Sequence, residues 1–230
     1  MNGYFSIAID GPSGAGKSSL AKRLAAEFSF IYVDTGAIYR TVGLAAYRAG
    51  IDRKDAEAIA KLLPSLKIHM AYNEQGEQRM FLGDEDVSGE IRLPEISICA
   101  SDVSSLPVVR DYLLEMQRKM ARENNVIMDG RDIGTVVLPD AELKIFLTAS
   151  PEARAERRLL ELVNKGVETN FEAVLEDIRY RDEQDSTRAA APLKKADDAI
   201  LVDTSDIDFD ESFKVLCDIV ISRLSVPEGE

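Results

Sequence analysis

Short apolar runs recur along the chain, at residues 5–10, 30–34, 126–129, 144–147 and 199–203. Each is rich in Ile, Val, Phe and Leu and closes at or near a polar residue or glycine, which predicts buried β-strands. Between most of them lie helical patterns, as at residues 17–28, 108–123 and 153–165. Strands alternating with helices predict an α/β domain in which a parallel sheet carries helices on both faces. Runs close in aspartate followed by Gly or Thr at Asp10-Gly11, Asp34-Thr35 and Asp129-Gly130, among others. Ligands bind at the carboxyl ends of strands in such sheets, so these acids stand where chemistry is expected.

One stretch breaks the rhythm. Residues 66–70, 79–82 and 86–87 are separated by the turn sequences Asn73-Glu74-Gln75-Gly76 and Gly83-Asp84-Glu85. That spacing predicts a small antiparallel β insertion, placed at about 62–93, rather than another βα unit. No repeat, low-complexity tract or Pro/Gly/Ser-rich linker divides the chain, so residues 1–230 read as a single domain.

Composition narrows the class. Hydrophobic residues make up 45% and charged residues 30%, as in a globular enzyme rather than a disordered chain. No apolar run approaches the roughly 20 residues of a membrane span. The start, Met1-Asn2-Gly3-Tyr4, lacks a basic region followed by a long apolar one, so a cytoplasmic protein is expected. Cys99 and Cys217 lie far apart without metal-ligand spacing and read as reduced, mostly buried thiols. The net charge of −13 argues against nucleic acid or an anionic membrane as partner. If phosphorylated ligands are bound, the 28 Lys and Arg must be concentrated around them.

Gly11-Pro12-Ser13-Gly14-Ala15-Gly16-Lys17-Ser18 fits G-x-x-x-x-G-K-[ST] at every fixed position, after an apolar strand and at the start of a helix. The glycines let successive N–H groups turn toward phosphate oxygens, and the helix adds its positive end. Lys17 is expected on the β- and γ-phosphates of ATP and Ser18 on Mg²⁺, with Ser19 completing the ATP-binding set. A GTPase would need an NKxD motif; the nearest string, Asn164-Lys165-Gly166-Val167, lacks the acid and follows a helix. The remaining small option is a kinase acting on a small molecule.

Arginines gather after the strands and on two later helices. Asp34-Thr35-Gly36-Ala37-Ile38-Tyr39-Arg40 follows the second strand; Thr35 and Arg40 either hold an acceptor phosphate or serve as helix cap and solvated surface. After the third strand, Asp129-Gly130-Arg131-Asp132 either offers Asp129 for the magnesium-water shell, with Arg131 and Asp132 projecting into the site, or forms an exposed turn. Asp34 is expected in the same water shell. Ser150-Pro151-Glu152 opens a helix that carries Arg154, Arg157 and Arg158 on one face and stops at Gly166. These arginines are either solvated or part of a closing lid, at about 150–168, that neutralises transferring charge. Arg181, Asp185 and Arg188 share a helical face, as an ion pair or as a clamp on sugar or phosphate. The lone His69 receives no catalytic role. An acceptor that is itself a phosphate monoester is largely ionised near neutral pH, its second pKa being about 6, so no general base is required.

The chain resembles the bacterial cytidylate kinases essentially end to end. The strings that carry the resemblance are Ile9 to Lys17, Asp34 to Arg40, Asp86-Val87-Ser88-Gly89-Glu90-Ile91-Arg92, Ala100-Ser101, Asp129 to Val137, Arg181 to Asp185 and Arg188 to Leu193. Several are specific to that family rather than to P-loop kinases at large. The resemblance implies transfer from ATP to CMP or dCMP. It implies a P-loop three-layer α/β fold with a five-stranded parallel sheet, an arginine-bearing lid and an enlarged CMP-binding insertion. By matched position the CMP site comprises Thr35, Arg40, Ser101, Arg110, Arg131, Asp132, Arg181, Asp185 and Arg188, with Ser101, Arg110 and Asp132 facing cytosine. Cytosine presents an amino donor at N4, which a carboxylate accepts, whereas uracil presents an acceptor there.

Lys17, Arg131, Arg154, Arg157 and Arg158 form the implied catalytic set, and the protein is expected to act as a monomer. Thr35 stands where serine is frequent, and Ser18-Ser19 where Gly-Thr or Ser-Thr is seen; the general loop pattern favours Ser18 for the metal. Another small kinase, for UMP/CMP or dephospho-coenzyme A, and a non-catalytic nucleotide switch are the competing readings.

Overall fold

Every residue of β1 (Ser6–Asp10) is buried, because the strand is paired on both edges. It runs parallel to β6 (Val126–Gly130) on one side and to β7 (Leu143–Thr148) on the other, and β7 is parallel to β8 (Ile200–Asp203). A strand covered on both faces admits a continuous apolar run, which is why SIAID carries no alternation. With β2 (Ile31–Asp34) at one edge the sheet has five strands in the order β2-β6-β1-β7-β8, the number expected. The computed structural model describes residues 3–164, 166–188 and 190–225. Lys165, the expected end of the third helix, and Ala189 of the last family string lie outside the described residues.

The chain divides into two units, one of residues 31–124 with the N-terminal four, the other of residues 5–30 with residues from 125 onward. The second contains β1, β6, β7 and β8 with α1 (Lys17–Phe28), α6 (Pro151–Asn164), α7 (Phe171–Thr187) and α8 (Phe209–Leu224). Helix α6 begins as its sequence predicts: Ser150 Oγ accepts from the Ala153 N–H at 3.1 Å and Pro151 occupies the first position. After α6 the chain turns at Gly166, whose φ is 74°. Ala155, Val174 and Ile178 are buried between α6 and α7, with Leu159, Leu162, Phe171 and Leu175 packed around them. These contacts join the two helices into one pair.

The first unit contains β2 and α2 (Thr35–Arg48), α3 (Ala56–Leu62), α4 (Pro94–Ser104) and α5 (Pro107–Glu123). The expected insertion is present as an antiparallel sheet of β3 (Ile68–Tyr72), β4 (Gln78–Leu82) and β5 (Glu85–Asp86). Its first turn is shaped by Asn73, whose side-chain oxygen accepts from the N–H groups of Gln75 and Glu77. Gln78 and Tyr72 fasten the sheet to β2: Gln78 bonds both the N–H and the carbonyl of Asp34, and Tyr72 donates to the Tyr32 carbonyl. Helices α2 and α4 approach closely at Gly43, where an added Cβ would lie 2.9 Å from the Ala100 nitrogen. Among the described residues no helix is long and apolar enough to cross a membrane.

Candidate functional site

The nominated residues divide between the units. Asp34, Thr35, Arg40, Ser101 and Arg110 stand in the first, and the rest in the second.

In the second unit the phosphate loop leaves β1 at Gly11, whose φ is 146° and whose missing Cβ would sit 1.9 Å from the Leu147 carbonyl oxygen. Only glycine fits there. The loop ends at Gly16, the left-handed N-cap of α1, which supplies no side-chain acceptor; the first turn holds no acid. The end of α1 therefore keeps N–H groups and positive dipole character available to an anion. Lys17 is buried and donates to the Pro12 carbonyl at 2.7 Å. Burial, reinforced by the nearby Arg131 charge, pushes the Lys17 amine down to about 7 against the opposing pull of Asp129, Asp185 and Asp10.

Ser18 Oγ donates to Asp129 Oδ2 at 2.8 Å, so the hydroxyl and carboxylate nominated for magnesium stand together. Among the described residues no group of three or more His, Cys, Asp or Glu could hold a metal. Mg²⁺ keeps waters and binds through one or two protein oxygens plus substrate phosphates rather than an all-protein cage. Ser18 and Asp129 fit this demand.

Asp34 does not. Its carboxylate caps α2 by accepting from the Ala37 N–H at 2.8 Å and pairs with Arg40 at 3.0 Å and Arg92 at 2.7 Å. Burial alone would raise this carboxyl, but the two guanidinium groups and the Ala37 N–H hold it below its ordinary value. It orients arginines rather than standing open to a metal's water shell. Thr35 is the first residue of α2, so the cap considered for it belongs to Asp34. Arg110 is buried on α5, donates to the Ser104 carbonyl at 3.0 Å and lies 5.4 Å from the Tyr39 ring centre, while Ser101 is exposed on α4.

The clamp expected of Arg181, Asp185 and Arg188 is rearranged. Asp185 accepts from Arg131 Nε at 2.6 Å, whereas Arg181 turns back to Asp177 at 3.0 Å. Arg188 lies beyond the end of α7 in extended backbone, with nitrogens 3.9 Å from both Asp132 and Asp185. Asp132 is buried and opens a π-turn, Ile133–Val137, whose first two N–H groups donate to the Asp10 carboxylate.

The lid arginines also separate. Arg154 donates to the Ser13 and Ala149 carbonyls and to both oxygens of Asp182. Arg157 bonds Thr204 and Ile207, and the exposed Arg158 pairs with Glu161 at 2.9 Å. Arg154 therefore lies against the loop, not on a face open to a transferring group.

The cytidylate kinase family model matches residues 7–222. The chain belongs to that family. It is 46% identical to the cytidylate kinase of Pelotomaculum thermopropionicum over the full length of both chains. It is 49% identical to that of Caldicellulosiruptor bescii, covering 89% of this chain and 90% of the relative. The enzyme of Mycolicibacterium paratuberculosis is also 49% identical, over 96% of each. An uncharacterized protein from Eubacterium ventriosum shares the fold, with a TM-score of 0.53, 14% identity and coverage of 95% of this chain and 99% of that one.

As a cytidylate kinase family member the chain is a nucleotide kinase, a transferase. Two residues of the family strings that the sequence left without a role pair with nominated residues. Arg92, the last residue of the Asp86 to Arg92 string, meets Asp34. Asp182, within the Arg181 to Asp185 string, meets Arg154. For Arg92 the string itself was a signal; for Asp182 nothing in its neighbourhood named an arginine 28 residues upstream.

Proposed function

We propose that the protein transfers the γ-phosphoryl group of ATP to CMP or dCMP, giving ADP with CDP or dCDP. The observation that carries this reading is the phosphate loop of the second unit. Its helix end is uncapped, the buried Lys17 lies within the electrostatic reach of Arg131, and the Ser18–Asp129 pair adjoins it. A triphosphate entering the loop adds negative charge that favours the charged form of the buried Lys17 amine. Mg²⁺, held by Ser18 and through water by Asp129, would neutralise charge on the β- and γ-phosphate oxygens.

The acceptor is a phosphate monoester, ionised without a base, so positioning and charge neutralisation suffice. We assign that work to Lys17 and Arg131, with the lid arginines Arg157 and Arg158 approaching the transferred group. Arg158 is the best suited of these, being exposed and paired, among the described residues, across a helix surface with Glu161. The CMP site is assigned to Thr35, Arg40, Ser101, Arg110, Arg131, Asp132, Arg181, Asp185 and Arg188. Asp132 accepts from cytosine N4, and a lone pair at the uracil O4 would face it unfavourably. One chain in the cytoplasm, without nucleic acid or membrane, is sufficient for this chemistry. ADP release measured with CMP, dCMP, UMP and AMP tests the proposal; turnover of UMP equal to that of CMP contradicts it.

A further inference from the structure

We propose that Asp182 is a positioning residue of the donor site, acting through Arg154 on the phosphate loop; this deepens the ATP-dependent reading above and rests on it. Arg154 is only 2% exposed, and its guanidinium is spread over four acceptors. Nε donates to the Ala149 carbonyl at 2.9 Å, one terminal nitrogen to the Ser13 carbonyl at 2.9 Å, and both terminal nitrogens to Asp182, at 2.9 and 2.6 Å. A guanidinium so removed from water needs a countercharge and filled hydrogen bonds, and Asp182 supplies both in bidentate form.

Ser13 is a loop residue, and the direction of its carbonyl decides how the following peptide is turned. A phosphate cup works only while its N–H groups face inward, which requires the carbonyls between them to point elsewhere. Arg154 holds one of those carbonyls. Its stem also underlies the next residue: an added Cβ at Gly14, where φ is 76°, would lie 3.4 Å from the Arg154 Cβ. The loop is thus fixed from beneath at two consecutive residues. Three positions after Asp182 the same helix carries Asp185, which holds Arg131. Helix α7 therefore sets both the loop and the arginine that follows β6.

The test is Asp182→Asn, which keeps the shape and removes the countercharge. Its KM for ATP should rise about 10-fold, the scale of a lost charge-assisted hydrogen bond, while its KM for CMP stays within about two-fold. Asp182→Glu should recover part of the ATP effect. Amide exchange in the ligand-free variant should quicken at residues 14–17 and stay unchanged in β1, a pattern that general destabilisation does not give. Should Asp182→Asn not fold, Arg154→Lys is measured in the same way, since one ammonium cannot reach Ser13, Ala149 and Asp182 together. Parallel rises in both KM values, no rise in either, or uniform quickening across β1 and the loop overturns the inference. The wild-type protein separates the two claims. If it forms no CDP, the kinase reading fails; if it forms CDP while the variant keeps its ATP KM, only the role of Asp182 fails.

Discussion

Asp185 accepts a 2.6 Å hydrogen bond from Nε of Arg131, so the arginine that follows the third core strand is held by a helix more than fifty residues later. Both side chains are largely shielded, at 28% and 19% exposure, so the pair is worth more than a surface ion pair. Asp185→Asn should lower kcat/KM for CMP about 10- to 100-fold, the effect of losing roughly 1.5–3 kcal/mol of charge-assisted bonding. Steady-state kinetics check this, and an unchanged kcat/KM would remove Arg131 from the acceptor site.

The Ser18–Asp129 contact distinguishes two adjacent hydroxyls. Ser18→Ala should reduce activity about 100-fold and raise the magnesium concentration needed for half-maximal rate, whereas Ser19→Ala should stay within about three-fold. Magnesium titrations of both variants decide it; the reverse order would move the metal to Ser19.

Asp10 gives the fold a pH dependence. Burial raises its carboxyl from an ordinary 3.8 to about 6, despite hydrogen bonds from the N–H groups of Gly134 and Ile133. The native form therefore binds the proton more tightly than the unfolded chain. Ionising Asp10 costs native stability, and that cost grows as pH rises from about 4 to about 6, then levels off. Over this window Asp10 contributes a fall in stability of about 3 kcal/mol, at 1.36 kcal/mol per pH unit. Denaturant unfolding of wild type and Asp10→Asn checks this. The difference between them should change across that window and be flat from pH 6.5 to 8.

Asp132→Ala should narrow the preference for CMP over UMP at least about 10-fold while leaving the KM for ATP within about two-fold. Equal losses with both acceptors, selectivity intact, would assign base recognition to another residue.

The sheet was legible because buried parallel strands write themselves as short apolar runs: all five predicted runs coincide with observed strands to within one residue at every end. The phosphate loop was legible for a related reason, since backbone geometry there demands glycine at Gly11. Side-chain partners were not. Helical spacing grouped Arg181 with Asp185, but Asp185 is bonded to Arg131, and Arg181 is paired one turn earlier with Asp177. Likewise Arg154, Arg157 and Arg158 share a helix and meet three different neighbours. Periodicity reports which residues share a face; long-range contacts decide what that face meets. The π-turn of Ile133–Val137 was missed because its apolar composition has no period of its own and its N–H groups are collected by Asp10, far away in sequence.

The most direct test of the kinase reading follows the phosphoryl group itself. Protein incubated with magnesium, ATP labelled in its γ-phosphoryl group and CMP should place the label in the β-position of CDP. Little label should appear as inorganic phosphate, and far less in UDP when UMP replaces CMP. Label released as phosphate to the same extent with and without CMP, and none in CDP, would contradict phosphoryl transfer to a cytidine nucleotide.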